Sequence, residues 1–255
     1  MIICDSRNFI FFHNPKACGS TVEKTLKIYK EDNLTDAFIY DSISNCLVWE
    51  NELTYSQFIN RPDLNKKTKY FKFTFVRNPY DRIFSGYCHS IAWGDIGKIF
   101  FSDFIYQTLK LGNILYKSPD LVEYLKHHKK SMQAVIYPPL CANWTHLNCE
   151  NMMDFIGYTE RFETDFNKVC EFLEIGDIKI MNAHVRSNPK PECDPHNMKY
   201  SDYKYLDNYN RRSIDIVNEV YAKDFEYFGY QMLDPKDFPE LISEEFLTSN
   251  QLKPI

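Results

Sequence analysis

Two runs dominated by apolar residues stand out along the chain: Phe9-Ile10-Phe11-Phe12, and a second run over 70–76 that ends in Phe73-Thr74-Phe75-Val76. Such short stretches rich in strand-forming residues predict strands covered on both faces. The first is stopped by Asn14 and Pro15, because proline fixes its torsion and offers no ladder donor. Gly19 then lets the backbone approach a ligand closely, and Ser20 or Thr21 is placed to cap a helix running through Val22, Leu26 and Tyr29. The second run ends at Arg77-Asn78-Pro79, and Ile83, Phe84, Tyr87 and Ile91 mark one face of a helix over 83–92. A third strand is expected over 153–158, ending at Gly157 and leading into a helix with Phe162, Phe166, Val169, Cys170 and Leu173 on one side. A last helix carries Ile214, Val217, Tyr221, Phe225 and Phe228 and stops at Gly229.

Weaker patterns fill the intervals. A short helix is expected near Tyr55, Phe58 and Ile59, a polar turn over 65–69, and further helices over 103–111 and 120–130. Residues 134–149, with Pro138, Pro139 and Trp144, read as loop, and 183–195 as a polar, proline-rich segment. Strands alternating with helices predict an α/β fold whose central parallel sheet is flanked by helices, with ligands at the carboxyl ends of its strands. With no internal repeat, low-complexity stretch or linker, one domain over 1–255 is expected.

Composition narrows the partners. A net charge of -5 argues against a chain specialised for nucleic acid. The aromatic share of 16% is high, and its first use is filling a core. Eight cysteines contain no C-x-x-C pair, so neither a zinc site nor a redox motif is expected, and reduced, buried thiols are. No stretch reaches the ~20 apolar residues of a membrane span. No signal peptide is recognisable either, so the expected location is cytoplasmic.

The turn after the first strand carries the candidate chemistry. The start of a helix presents unpaired amides and a partial positive charge, which suits an anion, and Lys16 adds a full charge beside it. The lysine precedes the glycine by three residues, unlike the Walker pattern, in which it directly precedes Ser or Thr. Arg77 stands at the end of the second strand and Ser85 about two helical turns beyond. The stretches Pro15-Lys16-Ala17-Cys18-Gly19-Ser20 and Val76-Arg77-Asn78-Pro79-Tyr80-Asp81-Arg82-Ile83-Phe84-Ser85-Gly86-Tyr87 resemble the two cofactor sites of sulfotransferases that use 3'-phosphoadenosine 5'-phosphosulfate (PAPS). They look most like the branch that includes many carbohydrate sulfotransferases. That resemblance implies a three-layer, P-loop-like fold and PAPS as co-substrate without a metal. It also implies that Lys16, Ala17, Cys18, Gly19, Ser20 and Thr21 hold the 5'-phosphosulfate. Arg77 and Ser85 would hold the 3'-phosphate, and Arg186, with Lys190, would close over it.

Sulfuryl transfer builds charge on the bridging oxygen as it leaves, so a cation there stabilises the transition state beyond the ground state. Lys16 is the candidate, its plainer alternative being a charge that only neutralises bound phosphate. Arg77 can grip a phosphate through two parallel bonds. Arg82 is expected to face solvent or pair with Asp81. The acceptor also needs a general base. Of His13, His89, His128, His146 and His184, the choice falls on His128, with His13 read as support for the turn. The leading reading is a PAPS-dependent sulfotransferase acting on a hydroxyl or amine of a carbohydrate or small molecule and releasing adenosine 3',5'-bisphosphate (PAP). A divergent P-loop nucleotide kinase and a non-catalytic nucleotide-binding member are the alternatives.

Overall fold

A computed structural model describes residues 1–35, 38–41, 46–92, 99–111, 140–176, 178–181, 195–196 and 203–240. In chain order these form β1 (Ile2–Cys4), β2 (Phe9–Phe11), α1 (Gly19–Thr25), β3 (Phe38–Asp41), β4 (Cys46–Trp49), α2 (Tyr55–Ile59), β5 (Phe71–Val76), α3 (Pro79–Ala92) and α4 (Phe101–Ile105). There follow α5 (Ala142–Thr145), β6 (His146–Leu147), β7 (Glu150–Asn151), β8 (Phe155–Tyr158), α6 (Phe162–Phe172), α7 (Arg211–Val220) and α8 (Ala222–Phe228). The chain divides into two compact units, one of Met1–Arg77 with Leu140–Pro195, the other of Asn78–Pro139 with His196–Ile255.

The first unit is built on a four-stranded sheet in the order β1-β2-β5-β8. β2, β5 and β8 run parallel, and β1 is an antiparallel edge strand. Parallel strands must be covered on both faces because their crossovers place helices there. Alternation along the strands shows the result. Ile2, Phe9, Phe11, Phe73 and Phe75 pack with Val22 and Leu26, with Phe166 and Val169 of α6 and with Leu173 just past its end. Ile3, Ile10 and Phe12 turn to the opposite face, onto Tyr55 and Phe58 of α2, Trp144 of α5 and Met153. The central, mostly parallel sheet flanked by helices is therefore the expected one. β1 is an addition, since three residues carry too little pattern to be read.

Several elements differ from expectation in extent. α1 ends at Thr25 and tightens into a 3-10 turn over Lys27–Tyr29, though Val22 and Leu26 still share the buried face. The short helix α2 has a capping box, in which Thr54 and Gln57 satisfy each other's backbone amides. Of the loop expected over 134–149, residues 140–149 hold α5 and the beginning of a hairpin, β6 paired with β7. Asn148 and Cys149 close it with φ of 51° and 68°, the left-handed pair that a two-residue hairpin needs. The helix expected over 120–130 lies outside the described residues.

Among its described residues, the second unit is helical. α3 is buried nearly all round, and Pro79 opens it, where a missing amide costs nothing. Tyr80 packs against Tyr209 and Phe225, donates to Asn218 Oδ1 and accepts from the Leu233 amide at 2.9 Å. Arg82 does not face solvent: it is wholly buried, with Nη1 4.0 Å from Asp224 Oδ2. A charge so placed needs an opposite charge near it, because burial alone is too costly. The helix expected over 103–111 starts earlier, at α4, and widens into a π-helical turn over Tyr106–Leu111. The last helix is broken at the buried Tyr221 into α7 and α8. Its apolar spacing survives, because the Tyr221 amide bonds back to Val217 and its carbonyl accepts from Phe225. Gly229 ends α8 with φ 66°.

Gly157 on β8 faces the ring of Phe75, and a Cβ there would fall 2.4 Å from Phe75 Cε1. We expect Gly157→Ala to displace that ring within a filled core and to lower stability by about 1–3 kcal/mol. Urea denaturation of the variant beside the parent protein measures it.

Candidate functional site

The carboxyl ends of β2 and β5 are fastened to one another. Thr74 donates to the Phe12 carbonyl at 2.7 Å, and Asn14 Nδ2 donates to the Phe75 carbonyl at 3.1 Å. Beyond them, Arg77 Nη1 donates to the carbonyl of Lys16 at 3.2 Å. Lys16 and Arg77 thus meet in the first unit. Arg77 is buried at 7% exposure, so its guanidinium is fixed against the turn rather than loose at the surface.

The turn itself is bent. Lys16 and Cys18 have φ of 62° and 60°, left-handed values that cost a residue with a Cβ of order 1 kcal/mol. The Ala17 amide bonds back to Asn14, and the Thr21 and Val22 amides both reach the Cys18 carbonyl, which starts α1. Alternating backbone of this kind makes a concavity of amides suited to an anion. Cys18, not Ser20 or Thr21, holds the cap position, and no side chain caps the helix. A capping side chain needs an extended backbone to aim its oxygen at the next amides, and left-handed Cys18 leaves Ser20 and Thr21 inside the first turn. Ser20 is exposed and Thr21 half-buried. Gly19 does serve a close approach, and within the protein the approaching group is His13: a Cβ on Gly19 would lie 2.0 Å from His13 Cδ2.

His13 is the hinge of an ionic cluster under the turn. Its ring stacks on Phe11 at 6.1 Å, Nδ1 lies 3.0 Å from Glu23 Oε1, and Nε2 lies 3.7 Å from Glu52 Oε1. Glu23 also accepts from the buried amino group of Met1 at 2.7 Å. Burial by itself raises Glu23, but the hydrogen bond and charge of His13 and the Met1 ammonium outweigh it and hold the carboxyl at about 2. Glu52 goes the other way. Burial pushes its carboxyl up, more than His13, the Met1 ammonium and Lys16 draw it down, and Glu23 adds to the rise. One imidazole therefore stands between two acids of opposite character. This supports His13 as the brace of the turn.

Each remaining candidate has its own surroundings. Ser85 is buried on α3, in the second unit, where His89 is half-buried near the helix end. His146 lies on β6 with Nδ1 2.6 Å from Thr145 Oγ1, and burial lowers its pKa. His128, His184, Arg186 and Lys190 fall outside the described residues. Glu160 and Glu163 flank Arg161, whose Nε donates to Asp165 at 2.8 Å and whose guanidinium lies over the Tyr158 ring. Among the described residues no group of three or more His, Cys, Asp or Glu is arranged to hold a metal ion, and no helix is long and apolar enough to cross a membrane.

Glu23 supplies stability wherever it is ionised in the folded state and protonated less readily than when unfolded. With its carboxyl held near 2 against an ordinary 4.5, that contribution is complete above about pH 4.5 and fades as pH falls toward 2. We expect Glu23→Gln to cost about 2–3 kcal/mol at pH 7, since it strands a buried ammonium, with the gap to the parent closing below pH 4.5. Urea midpoints recorded across that range test the sign.

A family model described as the sulfotransferase family matches residues 1–231. The chain is 26% identical over 265 residues to carbohydrate sulfotransferase 10 of Pongo abelii and of Homo sapiens, which covers 92% of this chain and 67% of each relative. It is 24% identical over 266 residues to carbohydrate sulfotransferase 10 of Gallus gallus, with the same coverage. No solved structure matches. Nearly its whole described length falls within that family match, and the chain belongs to the sulfotransferase family.

Proposed function

We propose that the protein transfers a sulfuryl group from PAPS to a hydroxyl of a carbohydrate or related small acceptor and releases PAP. The observation that carries this reading is the Arg77–Lys16 bond at 3.2 Å, which joins two cationic residues and a concave run of amides at neighbouring strand ends. PAPS has anionic groups at both its 3' and 5' positions, so two joined anion sites match one molecule. In this reading Lys16 and the amides of the turn hold the 5'-phosphosulfate. The Lys16 ammonium then meets the charge that grows on the bridging oxygen as the O–S bond breaks. Arg77 offers its planar fork to the 3'-phosphate while one nitrogen keeps the turn in place. The relatives support a carbohydrate acceptor, since their names specify carbohydrate sulfotransferases.

Calorimetric titration with PAP, and separately with ATP and magnesium, tests the nucleotide. PAP binding without a response to ATP supports the reading, and the reverse selects a kinase. With radiolabelled PAPS, Lys16→Ala is expected to cut transfer by about 100-fold or more while leaving the unfolding midpoint in place. Full turnover in that variant removes Lys16 from the chemistry. Arg77→Ala is expected to weaken PAP by about 10- to 100-fold, as loss of a charge-assisted pair of bonds requires. An unchanged dissociation constant counts against its placement.

A further inference from the structure

We propose that Glu52 is the proton acceptor for the hydroxyl that receives the sulfuryl group, and that His13 is the residue that positions it. The proposal rests on the sulfotransferase reading above and assigns a residue to a step which that reading leaves without one.

The position of Glu52 follows from the fold. It closes a 3-10 turn, Glu50–Glu52, and this turn is fastened on both sides. The Met1 amino group donates to the Asn51 carbonyl, and Trp144 Nε1 donates to the Glu52 carbonyl at 3.0 Å. Because β1 runs antiparallel to β2, Met1 lies at the end of the sheet where β2 finishes, so the Glu52 backbone is held at the edge that carries the Lys16 turn. Its side chain reaches His13 Nε2 at 3.7 Å. The same Nε2 would lie 2.1 Å from a Cβ on Gly19, so the imidazole touches both the carboxylate and the head of α1. Glu52 keeps 24% of its side-chain surface open, while His13 keeps 9%. The acid therefore keeps more open surface than the imidazole packed behind it.

Chemistry then separates the two acids of the cluster. Glu23 is equally open, yet it is committed to His13 and to the Met1 ammonium and is held at about 2, too weak a base to take a proton from an alcohol. The groups facing Glu52 are His13 and Lys16 from the turn, the Met1 ammonium from β1 and Glu23 from α1. Burial prevails over the three cations, which leaves Glu52 the stronger base of the pair. In the step itself the acceptor oxygen forms its bond to sulfur. The bond from sulfur to the bridging oxygen breaks, and its electron pair stays on the 5'-phosphate of PAP. The hydroxyl proton passes to a Glu52 oxygen and leaves later through the open side. No oxidant, reductant or metal enters this balance.

The test begins with PAP and the full chain. Carbon NMR of the glutamate carboxyls is recorded against pH, with and without PAP. Adding PAP is expected to shift the Glu52 signal and raise its titration midpoint, because an anion has arrived nearby. A Glu52 signal that ignores bound PAP overturns the proposal. Failure of PAP to bind at all strikes the sulfotransferase reading itself, so the two failures are told apart at this stage. Transfer from radiolabelled PAPS to a panel of simple methyl glycosides gives the second readout. Glu52→Gln is expected to lower kcat by about 100- to 1,000-fold with PAP affinity within about threefold and the urea midpoint unchanged. Glu52→Asp is expected to retain partial turnover with a displaced pH profile. His13→Gln is expected to move the rising limb of kcat/KM to higher pH, as one of the pulls lowering Glu52 is lost. If Glu52→Gln keeps its turnover, or loses PAP affinity as steeply as turnover, Glu52 only braces the turn and the proposal fails.

Discussion

The bond from Arg77 to the carbonyl of Lys16 is the constraint on which the site depends. Lys16 sits in a backbone conformation that a residue with a Cβ avoids, and a turn of that shape relaxes unless something outside it resists. Arg77 supplies that resistance from the next strand, and Asn14 and Thr74 repeat it from below. Parallel pairing makes the arrangement possible. With β2 and β5 side by side and pointing the same way, their exits emerge together, and a residue from one can close over the loop of the other. The candidate anion site is thus a product of strand register before it is a product of charge.

Beneath the turn, a second constraint works through His13. Its ring occupies the space that any side chain at residue 19 would need, which explains the glycine by packing inside the protein as well as by access for a ligand. The same ring separates Glu23 from Glu52. Burial is common to both, and what differs is the number of cations within reach. Glu23 has two at hydrogen-bonding distance, whereas Glu52 has its cations farther off, so one acid is pinned in its charged form and the other is not.

Much of this was readable in the chain. Phe9 to Phe12 and Phe73 to Val76 announce strands buried on both faces, since five phenylalanines in two such short stretches have no other place to go. The order of Lys16 and Arg77, each after such a strand, carried the family resemblance, and the family match supports it. Tyr55, Phe58 and Ile59 marked a helix of only five residues, which its Thr54–Gln57 cap makes possible. Glu52 was not readable. An acid between Asn51 and Leu53, in a stretch without periodicity, looks like any surface residue, and only the fold brings it to His13. Arg82 misled for a related reason: nothing beside it in the sequence announces that it is buried, and Asp224, which it meets, lies far along the chain. The hairpin after Pro138 and Pro139 was hidden by strands of two residues each, below the length at which alternation can be seen.

The left-handed pair at Lys16 and Cys18 has a kinetic and energetic corollary. A flexible glycine-rich loop must be ordered when its ligand arrives, and that entropy is subtracted from the affinity. Here the unfavourable torsions are imposed by the fold while the protein stands alone, through side chains borrowed from the adjoining strand. On the proposed reading, an arriving anion would meet a turn whose bend is already set, so less of the loop has to be ordered when it binds.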